Sequence, residues 1–156
     1  MTATLVYVLH QAAFGAIAAA GFGVLFNFRP VSLAWCAASG AAALAVRTLG
    51  LQVGWSLEAA SFTAASTVTV AAVALLRQDR GPSASAVAVA GCIPMVPGAF
   101  FAQALLGLFA LTAPQGAPEG PTVVATLASM LRVVFTLAGI GAGIAIPLHI
   151  LRRREF

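Results

Sequence analysis

The chain contains no lysine and only four carboxylates, Glu58, Asp79, Glu119 and Glu155. Charged residues make up 8% of it, about a third of the share usual in a soluble domain. Two histidines, His10 and His149, and two cysteines, Cys36 and Cys92, complete a sparse stock of reactive groups. They are scattered, with no metal-ligand spacing and no nucleophile beside a base. Neither an enzyme, a metal centre nor a cofactor is therefore expected. The cysteines lie in apolar surroundings and are expected to pack unpaired. A net charge of +4 would hint at nucleic acid in a soluble protein. Here the arginines are few and punctuate apolar runs, so they read as membrane-orientation signals and no nucleic-acid partner is expected.

What the chain has in abundance is apolar surface: 61% hydrophobic residues and a mean hydropathy of +1.01. A water-soluble helix needs a polar face every 3.6 residues or so, yet Leu5 to Phe26 contains no formal charge on any face. The solvent for such a segment is lipid. The runs are too long and too unalternating for barrel strands, so the expected fold class is all-α, a polytopic membrane protein. The first run lacks a basic leading region and is long enough to span, so it is expected to be retained and not cleaved.

Five spans are expected within one transmembrane domain covering 1–156. The first, 4–26, ends at "NFRP", where Asn27 suits a left-handed C-cap and Pro30 forbids continuation. The second covers 31–49. The third, 56–76, opens with Ser56 as N-cap and Glu58 near the positive dipole end. The fourth, 83–112, is interrupted by Pro94 and Pro97 and reads as two half-helices. "APQGAPEGP" is a loop, and the fifth span covers 122–151. An odd number of spans puts the termini on opposite sides. With the C-terminus in the cytoplasm and the N-terminus outside, Arg29, Arg77, Arg80 and Arg152 to Arg154 lie inside, and only Arg47 falls at an outside loop. Trp35 and Trp55 then sit at opposite interfaces as anchors.

Several residues invite a functional reading. Each proline in "CIPMVPGAFF" removes a backbone donor and pushes its predecessor, Ile93 or Val96, towards extended geometry. An unwound turn in mid-membrane would free the amides of Gly98, Ala99 and Phe100 at the positive start of the second half-helix, the arrangement that builds substrate sites in secondary transporters. A plain proline kink is the other reading. Arg132 lies about ten residues inside the fifth apolar segment, where a charge must reach water, a carboxylate or carbonyls. It either snorkels to the outer interface or attracts an anionic substrate group. The same two readings apply to Arg47. Thr63, Ser66 and Thr67 share a face of the third helix and either bond their own backbone or line a polar path. His10 and Glu58 are candidates for proton coupling, against interfacial and helix-capping roles. Gly15, Ala19 and Gly23, and again Gly139 and Gly143, form four-residue small-side-chain ladders that let helix backbones approach, or alternatively glide.

Taken together, "GFGVLFNFRP", "LAWCAASGA", Arg47 and "CIPMVPG" resemble the threonine/serine exporter family. The likeness is to its short five-helix component, which occurs as the C-terminal half of a long exporter or as a separate small subunit. The resemblance covers about 12–153, and its most distinctive element is Ile93-Pro94-x-x-Pro97-Gly98. Members often place a tyrosine shortly after the Pro-Gly, where this chain has Ala102. The resemblance implies an inner-membrane exporter of small polar metabolites, either amino acids such as threonine and serine or C4 dicarboxylates such as succinate. It also implies a larger membrane subunit as partner. With no nucleotide-binding motif, alternating access driven by an ion or proton gradient is expected. The alternatives are a structural or regulatory subunit that stabilises a larger transporter without forming the pathway, and a homo-oligomeric channel.

Overall fold

The computed structural model describes residues 2–76, 83–112 and 120–152, and side chains within 4–151 of these. Arg77, Arg80, Arg153 and Arg154, which enter the orientation argument, lie outside the described residues. All described elements are helical: α1 (Thr2–Leu25), α2 (Pro30–Gln52), α3 (Leu57–Leu75), α4 (Ala84–Cys92), a 3-10 turn (Ile93–Met95), α5 (Gly98–Thr112) and α6 (Gly120–Arg152). Helices α1, α2, α3 and α6 are each long and apolar enough to cross a membrane, and the broken pair Ala84–Met95 with Gly98–Thr112 makes a fifth span if counted as one. The chain is thus an all-α polytopic membrane protein.

The helix ends follow from local chemistry. At the end of α1, Asn27 adopts a left-handed conformation with φ 55°. Its N–H donates to the Val24 carbonyl, and that of Phe28 to the Gly23 carbonyl, both at 2.9 Å. This is a Schellman closure that satisfies carbonyls which would otherwise be orphaned. The motif recurs after α2, where Gly54 takes the left-handed position at φ 92° and the Trp55 N–H reaches the Gly50 carbonyl at 3.0 Å. Ser56 then caps α3 by accepting from the Ala59 N–H at 3.2 Å, with Glu58 in the first turn.

The chain packs as two compact units, one formed by residues 1–95 and 139–156, the other by 96–138. The core of the first is built largely of small side chains, Ala43, Ala64, Ala65, Ala72 and Ala88, joined by Val68, Cys92, Met95 and Ile140. Small residues allow close helix contact where lipid gives no hydrophobic drive for association. At the α1–α2 crossing a side chain on Gly15 would strike the Gly40 backbone carbonyl, and one on Gly40 would strike the Gly15 carbonyl and Ala19. On the C-terminal part of α6, a Cβ at Gly143 would come within 2.6 Å of the Phe62 carbonyl on α3. Both ladders are contact faces. Polarity is inverted relative to a soluble protein: Ser61 and Thr69 are fully buried, while large apolar side chains such as Leu25 point outward, 76% exposed.

In the second unit α5 lies against the first part of α6. The contact is close at Gly107, where a Cβ would collide with the Thr126 side chain. An apolar cavity of about 200 Å³ lies between Phe101 and Leu105 on α5 and Met130 and Val134 on α6.

Candidate functional site at the broken helix

The interruption of the fourth span begins at Pro94, which has no N–H to offer the turn before it. Ile93, expected to be extended, instead keeps helical geometry at φ −55° and ψ −41°, and its N–H still bonds to the Val89 carbonyl. The restriction on a residue before proline is a bias, and the chain meets it by tightening Ile93–Met95 into a 3-10 turn. The real opening comes at Val96 and Pro97. There the Gly98 N–H folds back onto the Val96 carbonyl at 2.8 Å, and α5 starts with the Phe101 N–H on the Pro97 carbonyl at 3.1 Å. The Gly98 amide, expected to be free, is therefore engaged. Those of Ala99 and Phe100 have no backbone partner among the described residues.

A broken helix also leaves carbonyls behind, and in the first unit Arg47 answers one of them. Its Nη1 donates to the Met95 carbonyl at 2.7 Å. Arg47 stands near the C-terminal end of α2 and is half-buried. Its cation meets the negative end of the α4 and 3-10 segment, where a donor and a positive charge are both favourable. Met95 itself is fully buried, so this bond spares a desolvated acceptor. Neighbouring contacts fix the same pair of helices: the Ser39 hydroxyl donates to the Val87 carbonyl at 3.2 Å, and Gly91 leaves the room that Ser39 occupies.

In the second unit the Arg132 guanidinium carbon lies 5.1 Å from the centroid of the Phe100 ring. A cation over an aromatic face is attracted by the ring quadrupole, the more so away from water. Arg132 is exposed and comes from the interior of α6, while Phe100 stands in the first turn of α5. The contact therefore places a permanent positive charge beside the helix start where two amides are unsatisfied. Guanidinium and amides can act together on a carboxylate, the guanidinium by a bidentate pair and the amides as at other helix N-termini.

The remaining candidates stand apart from these contacts. On α3 the Thr63 hydroxyl donates to the Ala59 carbonyl at 2.9 Å and the Thr67 hydroxyl to the Thr63 carbonyl at 2.8 Å. Ser66 has a buried hydroxyl with no partner among the described residues, as does Ser61. Two of the three hydroxyls are thus spent on their own helix. His10 is exposed on α1 and stacks edge-on against Phe14 at 4.7 Å. Glu58 is half-buried at the start of α3 and is the one carboxylate among the described residues. Both cysteines are free and buried. No cluster able to hold a metal ion occurs among the described residues. The Arg47 to Met95 bond and the Arg132 to Phe100 contact had no signature in sequence, because each joins residues tens of positions apart. The first ends on a backbone atom that every residue type carries.

Comparison with known proteins adds the identity of the scaffold. The family model described as threonine/serine exporter, ThrE, matches residues 11–150. An uncharacterized protein of Haemophilus influenzae (strain ATCC 51907 / DSM 11121 / KW20 / Rd) is 31% identical over 108 residues, a match covering 69% of this chain and 36% of that protein. The chain thus spans little more than a third of the length of the curated relative it matches. No solved structure matches it. The family match extends over both half-helices and the break between them, and the chain belongs to the threonine/serine exporter family.

Proposed function

We propose that this chain is one component of a secondary exporter that moves small carboxylate-bearing metabolites across the inner membrane. The solutes are amino acids of the threonine and serine type or C4 dicarboxylates such as succinate. The observation that carries the reading is the Arg132 guanidinium over Phe100, next to the unsatisfied Ala99 and Phe100 amides. A carboxylate entering there gains charge-assisted hydrogen bonds from groups already fixed by α5 and α6. Pro97 and Gly98 support this turn: the proline withholds a donor that would close the helix, and Gly98 leaves open space where a Cβ would stand. Pro94 and Arg47 hold the preceding segment, and the Thr63, Ser66 and Thr67 face is assigned a lesser part in the polar path.

Coupling to a proton or ion gradient draws on His10 and Glu58 as the titratable candidates. In line with the likeness to the family's short five-helix component, a larger membrane subunit is assigned as its partner, supplying the remaining helices. The N-terminus lies outside and the C-terminus in the cytoplasm, in line with Arg29 at the α1–α2 turn and the Arg152 to Arg154 cluster.

The test is efflux of labelled threonine and of succinate from intact cells carrying the chain with its neighbouring membrane subunit. Arg132→Ala is expected to lower efflux about tenfold or more at equal expression, with Arg132→Lys intermediate because charge survives without the bidentate fork. Unchanged efflux in Arg132→Ala removes the site. Full efflux from the larger subunit alone would favour a purely stabilising role for this chain.

A further inference from the structure

Thr136 is fully buried on α6, and its hydroxyl has no hydrogen-bond partner among the described residues. Two other threonines show what is unusual in this. Thr69 on α3 is equally buried and donates to the Ala65 carbonyl at 2.7 Å. Thr126, further back on α6, donates to the Thr122 carbonyl at 2.8 Å. A threonine in a membrane helix ordinarily spends its hydroxyl on the turn before it. One left without any partner bears an uncompensated desolvation cost. Thr136 thus keeps a donor and an acceptor free in a place closed to water.

Its position follows from the register of α5 against α6 within the second unit, residues 96–138. The two run antiparallel: Gly107 meets Thr126, and further along Phe101 and Ala104 share a cavity wall with Met130 and Val133. One turn on from Val133 in α6 is Thr136, and one turn back from Phe101 in α5 is Gly98. Thr136 therefore stands level with the first turn of α5, where the Ala99 and Phe100 amides lack backbone partners. Around the axis of α6, at about 100° per residue, it lies about 40° from Arg132 and about 60° from Val133. That places it between the guanidinium that reaches Phe100 and the stripe that packs on α5. The Cβ atoms of residues four apart on a helix are about 5–6 Å from each other, close enough for one small solute to touch both Arg132 and Thr136.

We propose that Thr136 is a specificity-determining residue of the carboxylate site at the broken helix, reading a hydroxyl on the solute while Arg132 and the α5 amides take its carboxylate. The inference rests on that site. A neutral group that both donates and accepts matches the free donor and acceptor of Thr136, and it adds no charge beside Val133 and Phe101. A methyl in the same place leaves Thr136 unpaired. Because the Thr136 hydroxyl is sealed from water, a solute reaches it by displacing packed side chains, and no water molecule replaces a missing bond. A buried polar group discriminates most strongly against a solute that lacks its partner under that condition. Two kinds of solute carry a hydroxyl β to a carboxylate and so share this chemistry, a hydroxylated amino acid and a hydroxylated C4 dicarboxylate.

Efflux is measured in intact cells carrying the chain with its neighbouring membrane subunit, using two labelled pairs that differ at one hydroxyl: threonine against valine, and malate against succinate. The wild type is expected to prefer the hydroxylated member of at least one pair, and that pair identifies the kind of solute. Thr136→Val keeps the shape of the side chain and removes its hydroxyl. It should reduce the preference about tenfold, by lowering efflux of the hydroxylated member while its counterpart is held or raised. Thr136→Ser should keep the preference. The thermal midpoint of purified Thr136→Val should hold or rise, since an unpaired buried hydroxyl gives way to an apolar group of the same shape. A hydroxyl with a structural role alone would leave the solute ratio where it was. Arg132→Ala should lower both members of a pair alike, and full efflux in that variant removes the carboxylate site and this inference with it. Impaired efflux in Arg132→Ala beside an unchanged solute ratio in Thr136→Val, or a wild type without preference in either pair, overturns the role of Thr136 and leaves the site.

Discussion

Arg47 and Arg132 carry the same group into the same kind of apolar helix, yet they meet different partners. Arg47 ends on a backbone carbonyl in a well-packed interior, whereas Arg132 lies exposed over an aromatic ring. Truncating Arg47 leaves the buried Met95 carbonyl without its donor. Arg47→Ala should therefore lower stability by about 1–3 kcal/mol, read as a lower thermal midpoint in detergent, with Arg47→Lys recovering part of the loss. Arg132→Ala should leave the midpoint nearly unchanged while efflux falls. A midpoint loss in Arg132→Ala as large as that in Arg47→Ala would make both arginines structural. The sequence made both residues conspicuous, because a charge in an apolar run demands an explanation. It could not choose between their partners, since one is a main-chain atom and the other an aromatic residue among ten phenylalanines.

At the scale of elements, the ends of helices were the most legible feature. Asn27, Gly54 and Ser56 occupy positions where a left-handed residue or a short hydroxyl is chemically required, and local rules suffice to find such positions. The break was legible as to place, less so as to form. Proline's missing N–H marks where a bond is lost, but the response of neighbouring residues depends on packing, and so Ile93 stayed helical within a tightened turn. Pro97→Ala should restore a donor facing the Ile93 carbonyl and draw α5 towards continuity with the segment before it. Efflux should fall with stability held or raised, because the helix gains a bond while the amides of Ala99 and Phe100 lose their exposure. The ladders show a second limit: spacing picked out Gly15, Ala19 and Gly23 as a small-residue ladder, but only the crossing shows that Gly15 meets Gly40 and that each faces the other's carbonyl. Gly40→Leu should cost about 1–3 kcal/mol or more, whereas Gly21→Leu, with nothing within 4 Å of its Cβ position, should be tolerated. Equal midpoints for the two would place the α1–α2 contact elsewhere.

For the molecule as a whole, composition was decisive because it reports the solvent. Lipid asks for apolar side chains outward and leaves the interior to small and hydroxyl-bearing residues, which is the distribution seen from Leu25 to Ser61. How the chain threads that solvent is a matter of flanking charge. The α1–α2 turn carries Arg29, while the α2–α3 turn, residues 53–56, carries no basic residue. The cost of translocating arginine and the negative inner-leaflet potential both favour Arg29 inside. Single cysteines on an otherwise cysteine-free chain, made by Cys36→Ala and Cys92→Ala, give a direct reading. Gln52→Cys should react with a membrane-impermeant maleimide in intact cells, and Phe26→Cys only after permeabilisation; both positions are exposed, so access is set by membrane side and not by packing. The reverse pattern would invert the chain and place Arg29 at the outer face. Labelling of both in intact cells would mean that α2 does not span or that the chain inserts in both orientations, and either outcome removes Arg29 as the residue that sets a single orientation.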